Sequence, residues 1–404
     1  MTRYDFETLV DRTAMGSSKW AAMHRAAAAH GTDLTAHDGP IAPFSVADLD
    51  LPNAPEIIEA LQEALAGGLV LGYTVPTEAY LDAVTGWFAR RHDWHVEPEW
   101  VRVTPGVIPA FTLAIREFTA PGDGVIVNTP AYYPMFPSIE SSGRRVVRNP
   151  LVEREGRFRI DLDLLEEQAR DPRTTALLFA SPHNPTGRVW ERKELEAVAR
   201  IVVEHDLLLI SDEIHHDLVQ PGHRHTVVTE VDPALAERTL VLSSTSKSFN
   251  IAGLGIANAV IPDPGLRDRF TRARDDLGFD NPDVLGAVAV QAAYTRAEGW
   301  LDELIALVGR NQAVLTAFFA EHVPSARVAP LEGTFLSWVD LRPLGLDAER
   351  LARLTAGEAA LFLDEGTVFG PEGAGFERFN IATPTPVLEA GLERLRRALD
   401  AALA

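Results

Sequence analysis

A series of short apolar runs, each followed by a turn and then a helix-compatible stretch, constrains the fold of this chain more than any other feature. Val101-Arg102-Val103-Thr104 leads through Pro105-Gly106 into an apolar segment, Val107–Phe118. Gly122-Asp123-Gly124 turns into Val125-Ile126-Val127, and Ala176-Leu177-Leu178-Phe179-Ala180 precedes an Asn-Pro-Thr-Gly turn and a helical pattern over 193–205. Leu207-Leu208-Leu209-Ile210 and Thr239-Leu240-Val241-Leu242 continue the alternation. Runs this short and this apolar suit strands buried on both faces, and the intervening helices supply the cover, so an α/β fold with a mostly parallel sheet is predicted. Ligands of such sheets gather beyond the carboxyl ends of the strands, where Ser181, Asp212 and Ser244 fall.

The pattern changes after about residue 281. Helices are predicted over 283–296 and 300–321, then strands over 334–339 and 379–382. Leu388, Leu392, Leu395, Leu399 and Leu403 recur at helical spacing near the end, which is the signature of a packed face. We therefore expect an N-terminal arm (1–45) that joins a small domain, a large domain (46–285) and a small C-terminal α+β domain (286–404).

At 404 residues the chain can bury a large core and divide into domains. Its formal charge of −21 argues against nucleic acid or an anionic membrane as a partner. The absence of cysteine removes disulfides, thiolate nucleophiles and cysteine-ligated metals. Met1-Thr2-Arg3-Tyr4-Asp5-Phe6-Glu7 carries no basic-then-apolar signal pattern, and no apolar run approaches the roughly 20 residues of a spanning helix. A cytoplasmic protein is expected.

The chemistry concentrates at the strand ends. Lys247 lies in Ser243-Ser244-Thr245-Ser246-Lys247-Ser248, just after a strand. An amine among neutral hydroxyls can condense with an aldehyde cofactor while the hydroxyls grip its phosphate; a lysine beside serines is otherwise an ordinary solvated one. Asp212 leaves an apolar strand, a costly place for an unpaired carboxylate. It is either a cap or buried ion pair, or the partner of a protonated ring nitrogen. Asn184, in Ser181-Pro182-His183-Asn184-Pro185-Thr186-Gly187, serves an Asn-Pro turn and can also donate to a ring oxygen. Gly106 lets the backbone approach an anion, with Val107 opening a helix whose amides point at it. Tyr132 either stacks on a flat ring or is a half-buried loop residue. His215, His216, His223 and His225 lack zinc-type spacing, so no metal is expected. Neither a Walker loop, a dinucleotide fingerprint nor a Gly-x-Ser-x-Gly elbow occurs.

Asn184, Asp212 and Lys247, in this order and at these separations, resemble the active site of fold-type-I pyridoxal-phosphate (PLP) enzymes of the aminotransferase superfamily. Val46-Ala47-Asp48-Leu49-Asp50, Gly72-Tyr73, Thr129-Pro130-Ala131-Tyr132, Ser211-Asp212-Glu213-Ile214-His215 and Trp338-Val339-Asp340-Leu341-Arg342-Pro343-Leu344 resemble its cystathionine β-lyase-type (C–S lyase) branch. The resemblance implies PLP on Lys247, held by Gly106, Val107, Tyr132, Asn184, Asp212, His215, Ser244 and Ser246. It further implies a substrate carboxylate on Arg378, and a homodimer in which Tyr73 of each subunit completes the other's site. The implied reaction releases thiol, pyruvate and ammonia from L-cystathionine or a related cysteine S-conjugate, with transamination as the alternative. Two positions depart from ordinary aminotransferases toward the lyases: His215 replaces a tyrosine, and Gly255 replaces a phosphate-binding arginine. Thr385 departs from the lyase pattern, where an arginine is common.

Overall fold

The structure, a computed structural model, describes residues 3–403, with the side chain of Leu403 outside the described residues. In chain order the first strands are β1 (Val101–Thr104), β2 (Gly124–Thr129), β3 (Arg145–Pro150), β4 (Val152–Arg154) and β5 (Arg157–Arg159). β6 (Thr174–Ala180), β7 (Leu208–Asp212), β8 (Thr239–Ser243) and β9 (Ala257–Val260) come next. β4 and β5 form a separate hairpin. The others make a seven-stranded sheet in the order β1-β9-β8-β7-β6-β2-β3, parallel throughout except that β9 runs against both of its neighbours.

The period-2 alternation of each central strand divides its side chains between two helix layers. Val125, Val127, Leu178, Ile210 and Leu242 pack with Phe111 and Ala114 of the helix Val107–Phe118. Ile126, Leu177, Leu209 and Val241 face the opposite layer, with Leu195, Val198 and Val202 of the helix Arg192–Glu204. A fully buried Leu, Ile or Phe contributes about 1.5–3 kcal/mol, so both faces of the sheet are committed to packing. Only the strand ends remain for chemistry.

The C-terminal part carries a second sheet of β10 (Arg327–Val328), β11 (Leu336–Asp340), β12 (Asp364–Glu365) and β13 (Phe376–Asn380), antiparallel in the order β10-β11-β13-β12. The final helix, Thr385–Leu403, buries Leu388, Leu392, Leu395 and Leu399. Phe44 exchanges backbone hydrogen bonds with Phe362 and Asn380, which stitches the N-terminal arm to this region. The strand expected over 379–382 is instead Phe376–Asn380, and Arg378, expected at its edge, lies at its centre opposite Trp338 and Asp364. Glu377 and Arg378 read as loop because they are charged, yet both are buried. Among the described residues no helix is long and apolar enough to cross a membrane.

Candidate active site

The carboxyl ends of β1, β2, β6, β7 and β8 converge on one cavity of about 250 Å³, walled in part by Ala47, Gly106, Tyr132, Asn184, Asp212, His215, Ser246 and Lys247. Beyond β8 the chain makes a single helical turn, Thr245–Ser248. Ser244 caps it: its hydroxyl accepts from the Ser246 amide (3.1 Å) and donates to the Ile256 carbonyl (2.7 Å). Ser246, the residue it caps, lines the cavity. Lys247 Nζ donates to the Ala47 carbonyl at 2.6 Å. Burial pulls its pKa down to about 8, with Asp48 opposing, Arg378 reinforcing, and Asp212 opposing in turn.

Asp212 ends β7, and its carboxylate takes one protein hydrogen bond among the described residues, from the Ile214 amide at 3.2 Å. Burial pushes its pKa up to about 7, against that amide and the Lys247 charge. No ion pair joins Asp212 to Lys247, though both line the cavity and each feels the other's charge. His215 is also buried, which together with the Lys247 and Arg378 charges holds it well below the usual imidazole range and so neutral. Its Nδ1 has no hydrogen-bond partner among the described residues.

Asn184 follows β6 in a turn that closes at Gly187, where φ is +70°, a left-handed conformation that strains any other residue, and an added Cβ would press on Leu331. The Asn184 Oδ1 accepts from Arg378 Nη1 at 2.8 Å, which leaves its amide nitrogen for the cavity. The Arg378 Nη2 donates to Asp364 Oδ2 at 2.6 Å, and its guanidinium lies 4.6 Å from the Phe369 ring centre. Its Nε is buried without a partner among the described residues. After β1, Gly106 (φ +153°) precedes the helix Val107–Phe118, which has no side-chain cap. Those first amides are a ready anion site at the cavity. Tyr132 stands after β2, half-buried, with burial raising its hydroxyl pKa. Tyr73 does not reach this wall: it is 97% exposed, in a segment that also exposes Val70, Leu71 and Val75.

Three contributors escape reading from sequence. Ala47 and Asp364 act through contacts made far along the chain. Asp217 fixes the lysine turn from behind, accepting from Ser248 Oγ (2.7 Å), Trp87 Nε1 (2.9 Å) and His92 Nε2 (2.8 Å). Its place in the same Asp-Glu-Ile-His-His-Asp run as Asp212 is the one signal that points to it. His216 and His92 approach Asp217 closely enough to share an ion, but hydrogen bonds already engage both of its oxygens.

These features fit a flat, phosphorylated aldehyde. The buried amine is easily deprotonated, a carboxylate and an unpartnered imidazole line the same space, and an uncapped helix start offers amides to a phosphate. The family described as aminotransferase class I and II matches residues 40–395, and the chain belongs to it. Within that family the chain is 36% identical to cystathionine beta-lyase PatB of Bacillus subtilis, over 89% of this chain and 92% of that protein. It is 33% identical to protein MalY of Escherichia coli, over 98% and 99% respectively. Among solved structures it is similar to cystalysin from Treponema denticola, which contains a pyridoxal 5'-phosphate cofactor (TM-score 0.95, 42% identity, 99% of each chain).

Proposed function

We propose that the protein is a PLP-dependent carbon–sulfur β-lyase that cleaves L-cystathionine or related cysteine S-conjugates. The observation that carries the reading is the buried Lys247 amine lining one cavity with Asp212 and with Asn184, itself bonded to Arg378. Similarity to PatB and cystalysin supports the choice of lyase over transaminase. Bound PLP supplies a carbon that reacts with the substrate amine and a ring that accepts the electron pair left at the substrate α-carbon.

The chain's own residues do the rest. Lys247 anchors the cofactor and, once freed, its Nζ takes the α-proton; a pKa of about 8 leaves a useful neutral fraction near neutral pH. Asp212 would keep a proton on the cofactor's ring nitrogen, and the Asn184 amide would donate to its ring oxygen. Tyr132 would offer its ring face to the cofactor, and the neutral His215 lines the same cavity. Ser244, Ser246 and the amides at Gly106 and Val107 would hold the phosphate, and Ser244 also caps the turn that carries Ser246. Arg378 offers its guanidinium to the substrate carboxylate. The β C–S bond then breaks, thiol departs, and one water converts the remaining fragment to pyruvate and ammonia. Incubation with L-cystathionine should release thiol and pyruvate in equal amounts; keto-acid exchange without thiol would identify a transaminase instead.

We further infer a cytoplasmic homodimer with shared sites, built from a large domain over 46–285 and a small domain over 286–404 joined by the N-terminal arm. The exposed apolar segment around Tyr73 supports this reading, since such a patch calls for a cover. Lys247→Ala and Tyr73→Phe subunits, each shown to be deeply impaired alone, should regain activity when mixed. Each mixed dimer then holds one site free of both defects. Verified mixed dimers without recovery would place Tyr73 outside its neighbour's site.

A further inference from the structure

Of the histidines that the sequence clusters, His215 lines the active-site cavity and His223 is exposed. His216 and His225 are buried behind the turn that carries Lys247, together with His92 from the end of the helix Glu78–His92. The His216 ring centre lies 4.5 Å from that of His92 and 6.2 Å from that of His225. Asp217 stands among them. The Ser248 hydroxyl, one residue beyond Lys247, donates to its Oδ2 at 2.7 Å.

The contacts of His216 place its protons. Its Nδ1 lies 2.5 Å from the Glu213 carbonyl oxygen, which can only accept, so Nδ1 carries a hydrogen. In a neutral ring the other nitrogen, Nε2, is then a bare lone pair. That Nε2 is buried, has no hydrogen-bond partner among the described residues, and stands 3.2 Å from Asp217 Oδ1. A lone pair facing a carboxylate there is repulsive, and burial leaves neither group solvent to turn to. A second proton on the ring converts the same contact into an ion pair.

Among the described residues His92 and His216 are the groups within ion-pairing distance of Asp217. His92 donates to Oδ1 through Nε2 at 2.8 Å; burial, with the His216 charge adding to it, pulls its pKa down to about 4, so it stays neutral. Burial opposes ionisation of Asp217, but the His216 charge and the His92 bond prevail and hold its carboxyl below the usual range. The remaining titratable neighbours are accounted for. His225 Nε2 meets Glu213 Oε2 at 2.7 Å, His215 feels the His216 charge, and Tyr294 feels that of Asp217. The Phe88 ring, 24° from parallel to His216 at 5.5 Å, offers a π face to a cation.

We propose that His216 is a positioning residue held as a buried imidazolium, and that its ion pair with Asp217 keeps the Ser248 bond, and with it the turn of Lys247, in place. The charge fixes Asp217 as an ionised acceptor, and Ser248 passes that constraint to the residue beside it. The role concerns Lys247 as the cofactor's anchor, so it holds for a lyase and a transaminase alike.

NMR of protein labelled with 15N in its histidines reads the charge directly. At neutral pH the ring signals that vanish in His216→Gln should show both nitrogens protonated; a signal in the unprotonated range overturns the proposal. Positioning is read by the rate at which cofactor-free protein forms a borohydride-trappable adduct with PLP. His216→Phe keeps a ring against Phe88 but has no donor, and should slow capture about tenfold or more, the scale of one hydrogen bond to a charged group. His216→Gln sets an uncharged amide donor where Nε2 stands and should recover most of that loss, which a defect of packing alone would not allow. The Glu213 carbonyl keeps the backbone amide of residue 216 as a donor at 2.9 Å, so neither variant orphans it. Capture by His216→Phe at the wild-type rate, or by His216→Gln as slowly as by His216→Phe, removes His216 from this role. Wild type that yields no trapped adduct refutes the cofactor reading and this role with it.

Discussion

Lys247→Ala should lower kcat by at least about 10³-fold, the upper range for removal of a positioned general base. Lys247 is the one amine on the wall of the cavity, so alanine removes both the anchor and the proton acceptor together. The surroundings should survive the change. The turn that carries the residue is held by the Ser244 cap and by the Ser248–Asp217 bond, neither of which involves the lysine side chain. Circular dichroism should therefore match wild type while turnover does not. Small primary amines in the buffer should restore a fraction of the rate, since they can enter the cavity and take the α-proton. A well-folded variant with near-normal turnover would remove Lys247 from the chemistry.

For Asp212→Asn the expected loss is about 10²-fold or more, comparable to deleting one preorganised electrostatic partner. Asparagine keeps the shape but cannot carry the negative charge that holds a proton on the ring nitrogen. The cofactor-free protein gives an independent readout. Its Asp212 pKa rises from 3.8 to about 7 on folding, through burial. Within that window the folded chain binds more protons than the unfolded one, so this carboxyl's contribution to stability is present below the window and lost as pH rises through it. Asp212→Asn has no such dependence. The melting temperature of the cofactor-free variant should gain on that of wild type from the bottom of the window to its top, and the gap should stay constant above. A gap independent of pH would mean that Asp212 is not held in a dry, unpaired setting.

The parts of this site that sequence makes legible are those encoded locally. Leucine-rich and β-branched runs are recognisable as strands because both faces must be apolar, and the residues just after each run fall at the sheet's carboxyl edge. Asn184, Asp212 and Lys247 stand out for that reason, and the helix Val107–Phe118 has the bounds its pattern predicts. The bounds of β13 escape the pattern because burial of charge depends on partners distant in the chain: Arg378 is satisfied by Asn184 and Asp364, which no local pattern reveals. Ser244 shows a different limit. A serine at a helix start can cap the backbone amides there, and its cap to the Ser246 amide and bond to the Ile256 carbonyl become visible only in the fold. That Glu365 and Glu377 stand opposed across β12 and β13 becomes visible only once strand register is known.

The most direct test of the central claim is chemical. Wild-type protein incubated with PLP, reduced with borohydride and digested should yield one peptide carrying the reduced cofactor, attached at Lys247. Recovery of the label at another lysine, or no label on protein that binds PLP stoichiometrically, would contradict the account.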